Sequence, residues 1–135
     1  MEILSGILCF LNIVTAVDDF RRRLSSKEDK QAISDFLNDI GTLLLSVSGD
    51  LQDGRYPHDK CSTMFEYLTN MKSVLKGKLP EDELEKFQTW IEESYRVEQL
   101  LGQLNQLSPE ERQYNIDTLR SISGRFVAFS KMTLL

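Results

Sequence analysis

Few residues in this sequence of 135 carry side chains that could do chemistry. The single histidine, His58, is followed by Asp59 and, after one more residue, by Cys61. A structural zinc site needs four ligands, so this group is too small to hold the metal. The sequence also contains no Glu-x-x-His pair of the kind that builds di-iron sites in helical bundles. We therefore expect His58 to form a hydrogen bond in a turn rather than to act in catalysis.

Acidic residues are more numerous, but they lie where helices would begin or face solvent. Carboxylates at residues 81–85 and at Glu110 and Glu111 suit the positive end of a helix dipole. The segment from Asp50 to Gly54 lacks the later ligands and the closing glutamate of a calcium loop. Glycine-rich phosphate loops are absent from the sequence. We therefore predict no catalytic residue, no metal site and no cofactor, and we expect a protein that is not an enzyme.

The composition is that of an ordinary globular protein, with 41% hydrophobic and 27% charged residues. The length predicts one domain over residues 1–135. A net charge of -5 argues against nucleic acid as a partner, because phosphate neutralisation needs a basic face. Cys9 and Cys61 lie in apolar patterns that favour buried free thiols, and such thiols are typical of a reducing compartment. The expected location is therefore the cytoplasm.

Five segments have helical periodicity, and turn residues separate them. Gly54 and Gly77 follow helical stripes, as expected of residues that accept a left-handed conformation after a helix. Ser108 followed by Pro109 predicts the start of the last helix, and a fourth helix is expected from Pro80 to Leu104. The second helix has one apolar stripe: Ile33, Leu37, Ile40, Leu44, Val47 and Leu51. With no predicted strand and short connections, the sequence indicates an all-α, up-and-down bundle of about five helices.

The first predicted helix, at residues 2–24, differs from the others because its N-terminal part is uncharged. Over residues 3–17, apolar positions cover roughly 280° of the helix circumference and leave Ser5, Asn12 and Thr15 as a polar strip. Those 15 residues span about 22 Å, against about 30 Å of hydrocarbon in a bilayer. Two environments suit such a helix: the centre of the bundle, surrounded by the other helices, or conditional insertion into lipid.

Two stretches carry a resemblance to known proteins: Met1-Glu2-Ile3-Leu4-Ser5-Gly6-Ile7-Leu8 and Gly54-Arg55-Tyr56-Pro57-His58-Asp59-Lys60-Cys61. Both stretches resemble the membrane-targeting bundles of cell death. These families are the fungal HeLo domains, the animal mixed-lineage-kinase-like killer domain and the bacterial Bell domains. The resemblance implies a dormant bundle whose oligomerisation exposes the first helix to a membrane. Family members are usually fused to a signalling or amyloid-forming segment, and this sequence shows no amyloid motif after its fifth helix.

The leading hypothesis is a non-enzymatic effector that targets membranes in cell death or defence, with membrane lipid and further copies of itself as partners. The residues predicted to contact the membrane are Ile3, Leu4, Ile7, Leu8, Phe10, Leu11, Val14, Arg21, Arg22 and Arg23. The three arginines would meet anionic headgroups. The alternative hypothesis is a cytoplasmic adaptor that binds another protein and keeps the first helix permanently in its core. An enzyme of unrecognised type is a third, weaker alternative.

Overall fold

A computed structural model describes residues 3–135, which contain helices and no β-strand. The elements are α1 (Ser5–Arg21), α2 (Lys27–Gln52), α3 (His58–Leu75), α4 (Glu81–Ser94), a 3₁₀ turn (Tyr95–Gln99), α5 (Leu100–Leu104) and α6 (Pro109–Thr133). The all-α class predicted from the sequence is confirmed. The first helix begins at Ser5, and the earlier start predicted at Glu2 lies outside the described residues.

The turn residues act as the sequence predicted at three of the helix ends. Gly54 and Gly77 adopt φ angles of 74° and 84°, the left-handed conformation that glycine accepts without strain. Before α6, the Ser108 hydroxyl accepts a hydrogen bond of 3.2 Å from the backbone N–H of Glu111. Gly54 and Gly77 therefore follow the ends of α2 and α3, and Ser108 caps the start of α6.

The fourth predicted helix is interrupted, which corrects the expectation of one continuous helix. It is divided into α4, the 3₁₀ turn and α5. At the break, the Ser94 hydroxyl donates a 2.6 Å hydrogen bond to the carbonyl of Ile91, a contact that bends helices. A Cβ atom on Gly6 of α1 would lie 3.3 Å from the backbone nitrogen of Val97. The interruption therefore lies where α1 packs against the backbone of the turn.

The helices alternate in direction, as an up-and-down bundle requires. Lys60 of α3 donates a 2.8 Å hydrogen bond to Asp50 of α2, while Lys78 after α3 pairs with Asp29 at the start of α2, so these helices are antiparallel. α1 runs antiparallel to α4 and parallel to α6, and α2 runs antiparallel to α6. The largest helix interface is that between α2 and α6.

The predicted apolar stripe of α2 faces the core. Each of its members is no more than 1% exposed: Ile33, Leu37, Ile40, Leu44, Val47 and Leu51. Leu45, which falls outside the stripe, is 54% exposed. The stripe joins one apolar core that also contains Phe10 of α1, Phe87 of α4 and Phe126 of α6. The 3.6-residue periodicity therefore identified the buried face correctly.

Small residues bring α2 and α6 together in what we call the serine–glycine seam, formed by Ser34, Gly41, Ser123 and Ser130. The Ser34 hydroxyl donates a 3.0 Å hydrogen bond to the Ser130 carbonyl, and the Ser130 hydroxyl donates one of 2.7 Å to the Ser34 carbonyl. The Ser123 hydroxyl donates a 2.6 Å hydrogen bond to the Gly41 carbonyl. These buried bonds fix the two helices to each other through polar as well as apolar contacts.

Replacing Gly41 with alanine is expected to destabilise the bundle by about 1–3 kcal/mol, the usual cost of overpacking. A Cβ at this position would lie 2.8 Å from Cγ2 of Val127 and 3.0 Å from the Ser123 carbonyl oxygen. Gly124→Ala is the control, because no atom lies within 4 Å of the added carbon and the change should stabilise α6 by about 0.5–1 kcal/mol. Urea unfolding measures both values, and equal shifts of the same sign would contradict the close approach at Gly41.

Candidate functional site

The side of α1 that faces the core, its inner face, consists of Ile7, Phe10, Ile13, Val14 and Val17. Each of these side chains is no more than 1% exposed. Three of them, Ile7, Phe10 and Val14, are among the predicted membrane contacts. In the folded bundle they are packed in the core and are inaccessible to lipid.

The opposite side of α1, its outer strip, faces solvent and consists of Ser5, Leu8, Asn12, Thr15 and Asp19. The predicted polar strip lies here, with Ser5 and Thr15 exposed and Asn12 half-buried. Leu8 lies among these residues and is 46% exposed. The first helix is therefore not surrounded on all sides, so the centre of the bundle, one of the two environments predicted for it, describes only its inner face. The remaining predicted apolar contacts are half-buried at the edges of the strip: Ile3, Leu4 and Leu11.

The inner face is held in the bundle without hydrogen bonds to other helices. Within residues 3–135, the hydrogen bonds made by residues of α1 stay within the helix or its ends. Two polar contacts flank the helix: the Leu4 N–H donates to Asn115 Oδ1 at 3.4 Å, and Arg23 donates to Glu83 at 3.4 Å. Apolar packing therefore supplies most of the attachment of α1, in contrast to the hydrogen-bonded serine–glycine seam.

The basic triplet, Arg21, Arg22 and Arg23, is paired with carboxylates. Arg21 and Arg22 both form ion pairs with Asp18, and the distance from Arg22 is 3.3 Å. Arg23 pairs with Glu83 at the start of α4 at 3.4 Å. The side chain of Arg21 is only 13% exposed, whereas those of Arg22 and Arg23 are 66% and 54% exposed. The three guanidinium groups of the predicted cationic patch therefore share two carboxylates, and Arg21 is withdrawn from solvent.

A groove of about 320 Å³ lies beside the outer strip, between α1 and α4. From α1 and the residues after it, Thr15, Asp19 and Arg23 line the groove. The α4 side is formed partly by Glu83 and by half-buried Trp90. No pattern within one helix encodes this groove, because it depends on how several helices pack against each other.

The two cysteines are free and buried, as predicted. Burial raises the pKa of Cys9 to about 12, and the negative charge of Glu93 adds to the effect. Burial likewise raises the pKa of Cys61 to about 12, with a further contribution from Glu98. Both thiols are therefore protonated at neutral pH and are poor nucleophiles in the folded protein.

His58 is the first residue of α3, beside the turn where the sequence placed it. Its ring stacks on Tyr56 with 4.8 Å between ring centroids, and its side chain is 66% exposed. Nδ1 lies 3.6 Å from a carboxylate oxygen of Glu98, which is an ion-pair distance rather than the expected hydrogen bond. Tyr56 and Tyr95 are about half exposed.

In the described part of the chain, no three His, Cys, Asp or Glu side chains are grouped closely enough to hold a metal ion. Over the same residues, no helix combines the length and the apolar character needed to cross a membrane. The features left as candidates are α1, the basic triplet and the groove beside them. No protein-family model, curated protein or solved structure matches this chain.

Proposed function

We propose that this chain is a non-enzymatic effector domain that acts on membranes in cell death or defence. In this proposal it is cytoplasmic while dormant, and α1 inserts into or binds a membrane after copies of the chain associate. The observation that carries the proposal is the way in which α1 is attached. Its inner face is apolar, uncharged and joined to other helices without hydrogen bonds, so lipid could replace the contacts that it leaves.

The burial of the inner face explains why the domain would be dormant. Full burial of one large apolar side chain is worth about 1.5–3 kcal/mol, so the inner-face side chains together contribute roughly 8–15 kcal/mol. That range is comparable to the whole unfolding free energy of a domain of this kind, about 5–15 kcal/mol. Spontaneous release of α1 would therefore be rare, and a membrane would be needed to compensate for the lost packing.

The length of α1 favours partial insertion over a complete span, with the N-terminal part of the helix in hydrocarbon and its C-terminal end at the headgroups. Its 17 residues are about 26 Å long, whereas the hydrocarbon core is about 30 Å thick. The basic triplet begins at the last residue of the helix, where guanidinium groups could meet phosphate headgroups. Because a single short helix binds weakly, several copies acting together would bind more strongly than one.

Vesicle leakage tests the proposal. The chain is clustered by a trimeric coiled coil appended at its C-terminus and added to dye-filled vesicles of phosphatidylcholine with or without phosphatidylserine. We expect dye release from the anionic vesicles, less from the neutral ones, and little release by the unclustered chain. Absence of leakage from anionic vesicles at high density of the clustered chain would refute the membrane activity.

The groove between α1 and α4 favours a second candidate function, a cytoplasmic adaptor that binds another protein. The groove combines an aromatic side chain, Trp90, with charged residues of both signs at its rim, among them Asp19 and Lys86. Such a mixture is typical of protein interfaces, where aromatic residues provide much of the contact. In this case α1 would stay docked as one wall of the binding site. The two candidates therefore differ in whether α1 leaves the bundle.

A further inference from the structure

Asp18 occupies an unusual position for a buried acid. It lies near the C-terminal end of α1 and is only 8% exposed. The negative end of the helix dipole makes this position unfavourable for a carboxylate. Its ion pairs with Arg21 and Arg22 compensate for that cost. Asp18 thus engages two of the three cations that would be needed at an anionic membrane.

The carboxylate of Asp18 uses the donors that a phosphate headgroup would use. Nε of Arg21 donates to one oxygen of Asp18, and a terminal nitrogen of Arg22 donates to the other at 3.3 Å. Guanidinium groups bind carboxylate and phosphate oxygens through the same planar N–H geometry. The Arg21 guanidinium also lies over the ring of Phe129, 5.7 Å from its centroid. Asp18 therefore helps to hold Arg21 against the bundle and away from solvent.

We propose that Asp18 is an internal counter-ion that keeps Arg21 and Arg22 from binding the phosphate groups of anionic lipids while α1 is docked. This inference rests on the proposed membrane function and assigns a regulatory contact to the same site. Asp18 is a positioning residue, because it acts through the arginines and does not contact the lipid. Loss of its charge should leave both cations available at the surface.

Asp18→Asn and Asp19→Asn form a matched pair for the test. The two substitutions are adjacent, replace the same side chain and change the net charge equally, but Asp19 is exposed and forms no ion pair within the described residues. Binding of the unclustered full chain to phosphatidylserine-containing vesicles is measured by co-sedimentation at low salt. We expect Asp18→Asn to raise the partition coefficient about tenfold to thirtyfold, the effect of two added basic groups at an anionic surface, and Asp19→Asn to raise it less than about fivefold. Equal effects would overturn the proposal.

A second variant distinguishes two possible causes of increased vesicle binding by Asp18→Asn: release of the arginines and loosening of α1. Asp18→Asn combined with Arg21→Gln and Arg22→Gln should bind vesicles no better than the unchanged chain. If the triple variant keeps the increase, exposed apolar surface rather than the arginines is responsible, and the proposal is wrong. Unchanged binding of Asp18→Asn to pure phosphatidylcholine supports recognition of the anionic headgroup, whereas an equal increase there overturns it.

A test with inorganic phosphate distinguishes two possible ligands of Arg21 and Arg22, a lipid headgroup and a soluble phosphate ion. A few millimolar phosphate at constant ionic strength should leave the Asp18→Asn increase in place, because one free anion lacks the avidity of a charged surface. Loss of the increase would assign the arginines to a soluble phosphate ligand and overturn the lipid proposal. Binding and leakage are separate readouts: increased binding without leakage by the clustered chain refutes the proposed function alone, whereas leakage with equal binding of the two variants refutes the Asp18 inference alone.

Discussion

Leu8→Glu is expected to lower vesicle leakage by the clustered chain about a hundredfold while leaving the folded bundle intact. Leu8 is 46% exposed in the outer strip, so a charge there changes the free energy of unfolding by no more than about 0.5 kcal/mol. In an inserted helix the same residue would meet hydrocarbon. A charged side chain costs about 2.5–3.5 kcal/mol near the centre of a membrane helix, which corresponds to a loss of roughly 60-fold to 300-fold.

The control for Leu8 is Leu45→Glu on α2. Leu45 is 54% exposed, so the two substitutions change the same side chain at similar exposure and add the same charge. Only Leu8 belongs to the proposed inserting helix, and Leu45→Glu should therefore keep most of the leakage activity. Similar losses in both variants would show that added negative charge, rather than insertion of α1, reduces the activity. Full activity of Leu8→Glu would exclude insertion of this part of α1.

Cys9 and Cys61 lie on two different helices, so their reactivities distinguish movement of α1 from movement of α3. Cys9 lies on α1 and Cys61 on α3, and burial raises the pKa of each from 9.0 to about 12. At pH 8 this lowers the thiolate fraction about a thousandfold in the folded protein. We expect urea below the unfolding transition to accelerate alkylation of Cys9 at least tenfold more than that of Cys61, because α1 that opens into water regains the ordinary thiol pKa and exposes the sulfur.

The measurement uses two single-thiol variants, Cys61→Ala and Cys9→Ala, with iodoacetamide at pH 8 and mass spectrometry. Cys61 should stay slow, since α3 keeps its place when α1 leaves. Equal acceleration of both thiols would indicate unfolding of the whole bundle. Equally slow labelling of both thiols would show that α1 opens no more readily than α3, and the adaptor function would then be preferred.

Local patterns predicted the helices well because their causes are local. The stripe of α2 follows from helical periodicity, and the start of α6 from the Ser108 side chain. The interruption after α4 was missed because it coincides with the close approach of Gly6 to Val97, residues far apart in the sequence. The groove between α1 and α4 likewise depends on residues far apart in the sequence.

The ion pairs of Arg21 and Arg22 with Asp18 have a signal in the sequence. Asp18 precedes Arg21 by three residues and Arg22 by four, the spacings at which side chains meet on a helix. The exposure of Leu8 is different, because an apolar residue on a nearly apolar helix gives no sign of which side faces solvent. Only the packing of α1 against its neighbours determines that side.

The short connection between α1 and α2 limits how far the C-terminal end of α1 can move. Residues 22–26 separate the two helices, and five residues reach at most about 18 Å when fully extended. The Arg21 end of a released α1 would therefore stay near the start of α2, while the Leu4 end could sweep an arc with a radius of about 26 Å. The moving end is the one secured by the 3.4 Å hydrogen bond to Asn115. Release of α1 would therefore require this hydrogen bond to break, and the arginines would stay within reach of the start of α2.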